Sequence, residues 1–168
     1  FFRRLQEAGY YTAHIGKSHY YGHGRFHMDE KVPFMKSLGF DYVREVPGPL
    51  ASVNTGSCMS DAWGEELWKE FGEDYKKRRE HDEIASWPSP LPEELFHDSF
   101  VGAETEKFIN EYSENKPFCV FTGFPGPHPP YDAPGKWAEM YDPADMPEAK
   151  PSENRKGEGP GHYGGGGK

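Results

Sequence analysis

The sequence predicts an α/β fold with a mostly parallel, incomplete sheet, and three observations carry that expectation. Near the start, a helix-like stretch is followed by a short run of aromatic and β-branched residues. The same helix-then-strand order recurs after residue 100, and there the second run is continuously apolar. Alternation of this kind is how helices come to cover a parallel sheet.

Residues 1–8 place Phe1, Leu5 and Ala8 at helical spacing, and Gly9 stands where a helix C-cap takes a left-handed residue. Residues 10–15 read as a strand, followed by Gly16 and a loop holding Lys17, His19, His23 and His27. Residues 32–38 read as helix, Gly39 ends them, and residues 40–43 form a second short strand. Signals weaken from residue 47 to residue 92. Within that stretch, residues 61–79 make a polar helix with Trp63, Leu67, Trp68, Phe71 and Tyr75 along one side. The irregular flanks give the region the look of an excursion from the core. Residues 100–112 carry a clearer helical stripe of Phe100, Ala103, Phe108, Ile109 and Tyr112, closed by Lys116-Pro117. Residues 118–122 have the composition of a strand buried on both faces. The proline-rich run 123–132 is neither helix nor interior strand, so it is a shaped loop. Residues 137–141 allow one helical turn, and the stretch 148–168, ending in glycines, reads as a flexible or truncated tail.

Composition narrows the functional classes. Apolar residues make up only 35% of the chain, with Gly 20 and Pro 16, so loops account for much of it, while 15% aromatic content argues against wholesale disorder. A formal charge of −9 offers no basic footprint for a nucleic-acid backbone, which leaves a small molecule as the expected partner. Local cationic donors still act on an anion within a Debye length of about 8 Å. Cys58 and Cys119 match no zinc spacing and are too few for a disulfide framework. No apolar run is long enough to span a membrane. The opening Phe-Phe-Arg-Arg-Leu-Gln-Glu-Ala-Gly reads as the middle of a helix, with neither cap nor signal peptide before it, and the expectation is an internal piece of a longer polypeptide.

Two loops follow expected strands, the place where open α/β sheets collect ligands. The first brings Lys17 and His19, two apart and therefore on one side of an extended segment. The second holds His128 between Pro127 and Pro129, which restrict the backbone and reduce the entropy lost in fixing the ring. A lone lysine after a strand is more commonly a solvated charge. His19, His23 and His27 have the i, i+4 spacing of a helical metal face, but Gly22 and Gly24 disfavour a helix there. His14, His23 and His27 are accordingly taken as surface or loop residues.

The run Leu5-Gln6-Glu7-Ala8-Gly9-Tyr10-Tyr11-Thr12-Ala13-His14-Ile15-Gly16-Lys17-Ser18-His19 resembles the second sulfatase signature, in which AGY-x-T-x-x-x-GK-x-H follows a helix. Residues 100–147 are similar to a later stretch of the same family, with Lys116-Pro117-Phe118, Pro127-His128-Pro129-Pro130, Ala133-Pro134 and Tyr141-Asp142-Pro143-Ala144-Asp145-Met146-Pro147 in the family's order. The resemblance implies a three-layer α/β/α, alkaline-phosphatase-like domain, with residues 1–147 its central part and 47–92 a variable insertion. It implies hydrolysis of a sulfate ester, either a small molecule or a carbohydrate, through a formylglycine nucleophile and a Ca2+ ion. In that scheme Lys17 bridges nucleophile and sulfate, His19 bonds the formylglycine hydroxyls, and His128 donates toward the sulfate or the departing ester oxygen. The family's setting is periplasmic, extracellular or lysosomal.

Cys58 is followed by Met59-Ser60-Asp61-Ala62, without the proline and arginine of the family's modification motif, so it is not the nucleophile. The family's metal aspartates are missing too, so formylglycine and calcium are both expected from outside this segment, which alone should bind no metal and be inactive. Ser18 stands where the family usually has a large residue. Two other readings remain. One is a phosphodiester or phosphonate hydrolase of the same superfamily. The other is a non-catalytic paralogue whose Trp63, Trp68, Trp87 and Trp137 stack on sugar rings, although packing is the commoner role of such residues.

Overall fold

The computed structural model describes residues 1–22, 24–79 and 87–148. His23 and nearly all of the tail lie outside the described residues. Helix α1 (Phe2–Glu7) runs to Gly9, whose φ of +90° turns the chain without a Cβ penalty. Strand β1 (Tyr11–Gly16) follows. A single 3₁₀ turn at Met28–Lys31 leads into α2 (Val32–Ser37), and Gly39 returns the chain to β2 (Tyr42–Glu45). Beyond a four-residue α3 (Pro49–Ser52) come α4 (Cys58–Arg79), α5 (His97–Glu111) and β3 (Phe118–Gly123). Short 3₁₀ turns at Gly135–Glu139 and Pro143–Asp145 end the described chain.

The three strands form one sheet in the order β2-β1-β3, parallel throughout. Parallel neighbours require helical crossovers, and the chain supplies them between every pair. Alternation along β1 divides its side chains between two faces. Tyr11, Ala13 and Ile15 join Tyr42 and Val120 in a core packed on Phe100, Val101 and Phe108 of α5. Thr12 and His14 point the other way, where the His14 ring stacks on Phe121 at 5.4 Å and Phe2 of α1 lies 4.2 Å from Phe40. Asp41 ties that side together by accepting from Thr12 N at 2.9 Å and Gln6 Nε2 at 2.8 Å.

Three expectations need correction. His14 is not a surface residue: it is fully buried, because β1 is the central strand and covered on both faces. Strand β3 is not buried on both faces, since as an outer strand it leaves Phe118 and Phe121 38% and 40% exposed. The region 47–92 is not wholly an excursion from the core. Met59, Trp63, Phe71, Tyr75 and Leu91 belong to the same buried cluster as Ala13 and Ile15. The four-residue spacing of Trp63, Leu67, Phe71 and Tyr75 turns one side of α4 inward despite a break at Gly64, where φ is +76°.

Candidate functional site

Strands β1 and β3 end in register, Gly16 beside Gly123, so the loops bearing Lys17 and His128 leave the sheet side by side. Lys17 N donates to the Gly123 carbonyl at 2.7 Å. That approach excludes side chains: a Cβ on Gly16 would sit 2.2 Å from Gly123 O, and one on Gly123 would sit 2.1 Å from Lys17 O. The β2 exit joins them, with Val46 N bonded to Gly16 O at 3.2 Å. Three loops therefore gather beyond the carboxyl ends of a parallel sheet, the usual ligand position in open α/β folds.

Lys17 is half-buried, and its side chain crosses the backbone at Gly48, where a Cβ would lie 2.8 Å from Nζ. Burial lowers its pKa, because an ammonium short of water loses hydration energy. An anion arriving there would restore that lost stabilisation. Nearby His97, the first residue of α5, is buried, and its pKa falls to about 3, chiefly through desolvation and further through the charge of Lys17. The neutral ring has Nε2 2.9 Å from Ser52 Oγ, which in turn donates to Gly48 O at 3.1 Å. Ser52, Gly48 and His97 thus form one packed wall beside the lysine.

His128 is exposed on the proline loop, where the Gly126-Pro127 and Pro129-Pro130 peptides are cis. Its Nδ1 lies 2.6 Å from the Pro129 carbonyl. A carbonyl only accepts, so the proton sits on Nδ1 and Nε2 is the nitrogen left for a ligand. Asp98 anchors the loop by accepting from Gly126 N at 3.0 Å, and Tyr75 reaches Asp132 at 3.2 Å. Between the proline loop and the start of α5 lies a cleft of about 480 Å³, lined by His128, His97, Asp98, Pro49, Tyr131 and Trp137 among others.

Of the three expected residues, His128 lines this cleft; Lys17 does not line it, but lies against Gly48 and within electrostatic reach of His97, which does. His19 is exposed on the first loop and does not line the cleft. His27 caps the Met28–Lys31 turn and lies 3.3 Å from Asp61 Oδ2, a local structural role. His97, Gly48 and Glu45 escaped the sequence reading. Only a histidine ahead of Asp-Ser at a helix start pointed to the first. Trp63 and Trp68 direct their indole N–H groups to the Leu95 and Ser52 carbonyls, so both are packing residues.

Among the described residues no three His, Cys, Asp or Glu side chains converge as a metal would require. No family model matches the chain, and no curated protein matches it.

Proposed function

We propose that this chain is the central part of a sulfatase catalytic domain of three-layer, alkaline-phosphatase-like design, and that it contributes Lys17, His19 and His128 to the hydrolysis of a sulfate ester. One observation carries the reading: the loops that hold Gly16-Lys17-Ser18-His19 and Pro127-His128-Pro129 leave adjacent parallel strands at one end, joined by the bond from Lys17 N to Gly123 O. Two sequence motifs far apart in the chain thereby stand on loops that leave the same end of the sheet.

The chemistry follows from the donors. Cleavage of the S–O bond moves negative charge onto the departing oxygen. An ammonium and an imidazole fixed in advance stabilise that charge without reorganising during the reaction. Lys17, partly stripped of water, gains most from an anionic partner. His128, with Nδ1 committed to Pro129 O, keeps Nε2 in one direction, to donate once the ring is protonated. His19, two residues beyond Lys17, is assigned to the nucleophile's side. Formylglycine, carried by residues outside this segment, would supply the nucleophile.

In the full-length protein, Lys17→Ala and His128→Ala should each lower kcat on a sulfate ester by about 10²-fold, with the fold intact by circular dichroism. Unchanged turnover in both would end this assignment. The same assay on phosphodiester and phosphonate esters separates the sulfatase from its superfamily alternative, and residues 1–168 alone should show no turnover.

A further inference from the structure

We propose that Glu45 is a positioning residue for this site: its carboxylate clamps Ser18 and Tyr21 and thereby fixes the direction in which Lys17 and His19 point. The inference rests on the sulfate-ester reading for its chemistry, but the clamp itself is a matter of geometry. Glu45 is the last residue of β2, with a side chain only 3% exposed. Its register partner on β1 is Gly16, which has no side chain, so the carboxylate can reach across the strand end. One of its oxygens accepts from Ser18 Oγ and the other from Tyr21 OH, both at short distance.

Strand alternation shows what this does. Along β1, Ala13 and Ile15 face the α5 core, while Thr12 and His14 face the opposite side. Ser18 continues the second series, as its bond to Glu45 and the 3.7 Å approach of His14 to the same carboxylate require. Lys17 continues the first series, which is why it lies against Gly48 and senses His97. Releasing Ser18 would free the segment to rotate and would cost Lys17 its side. Ser18 and Tyr21 are both held, so His19 and Tyr20 form the two exposed residues between two anchors. A buried carboxylate is unfavourable unless its oxygens are bonded, and here both bonds go to the loop that carries the donors.

The test uses the full-length protein bearing Ser18→Ala, Tyr21→Phe, Glu45→Gln, and Ser18→Ala with Glu45→Gln together. Misplacing a catalytic group by about 1 Å costs on the order of 10²-fold, so Ser18→Ala and Glu45→Gln should each reduce kcat by about 10- to 100-fold. KM should change far less. The double variant should lose little more than Glu45→Gln alone, because Glu45 acts through Ser18. Hydrogen exchange at residues 17–21 should quicken in every variant. Lowered melting temperatures with wild-type kcat would reduce the carboxylate to a packing role and overturn the proposal, as would additive losses in the double variant. If the wild type hydrolyses no sulfate ester, the functional reading fails by itself. Exchange at residues 17–21 then still decides the clamp, and unchanged rates in Ser18→Ala would refute it.

Discussion

The lysine at the strand end depends on a residue that has no side chain. Gly48 has φ −71° and ψ 166°, a conformation open to any L-residue, so alanine there carries no backbone strain. Its Cβ would nevertheless lie 2.8 Å from Lys17 Nζ and 3.0 Å from Cε, and the flexible end of the lysine is what must move. Gly48→Ala is therefore expected to leave the melting temperature within a few degrees of wild type and, on the proposed sulfate-ester reading, to cut kcat/KM by about tenfold or more in the full-length protein. A variant with wild-type kinetics would mean that the amine needs no such gap. Lys17 is conspicuous in the sequence because a short motif carries it. Gly48 and Glu45 are not, because their importance comes from the register of β2 against β1, which no local pattern encodes.

At the scale of elements, the β1–β3 junction is the weakest place to alter and the most informative. Gly16 combines φ +96° with a Cβ position 2.2 Å from the Gly123 carbonyl, so Gly16→Ala brings both strain and a collision with backbone that cannot step aside. Positive-φ strain alone costs about 1–3 kcal/mol, and the collision adds to it. The expected result is a clear fall in denaturation midpoint, read by urea titration, whereas Gly64→Ala, at φ +76° with nothing within 4 Å, should show the strain alone. Equal losses at the two positions would remove the special standing of the junction. Elements are legible where periodicity is strong, as in β1 and α2, which fall within one or two residues of expectation. Helix α5 begins at His97 rather than residue 100, because its first turn carries polar groups that face the proline loop instead of an apolar stripe. The aromatic side of α4 is visible in its spacing, but its place in the core is not, because composition reports how polar a segment is and not which layer its apolar residues join.

For the molecule as a whole, the two buried histidines set a dependence on acidity. His14 has a folded pKa lowered to about 4 and His97 one lowered to about 3, each mainly because burial disfavours the imidazolium. The 3.7 Å approach of His14 to Glu45 is not an ion pair at neutral pH: desolvation lowers the first group and raises the second, so each is driven toward its neutral form. Above the unfolded value of 6.5, neither histidine binds a proton in either state, and their contribution is at its full value. As pH falls from there, the unfolded chain takes up protons that the folded chain refuses, and stability drops until the folded values are reached. For His14 the loss is roughly 3 kcal/mol, since every tenfold weakening of proton affinity on folding is worth about 1.4 kcal/mol. Glu45 works the other way, because its raised folded pKa lets the native state bind a proton first, and it offsets part of the decline. Two histidines against one carboxyl leave a net loss, large beside a typical domain stability of about 5–15 kcal/mol. The melting temperature should accordingly fall steadily between about pH 6.5 and pH 4, and His14→Phe, which keeps an aromatic ring against Phe40 and Phe121, should flatten that slope. Calorimetry of both proteins across this range checks the claim, and a wild-type midpoint that holds level to pH 4 would show that at least one of these rings takes up its proton without unfolding the core.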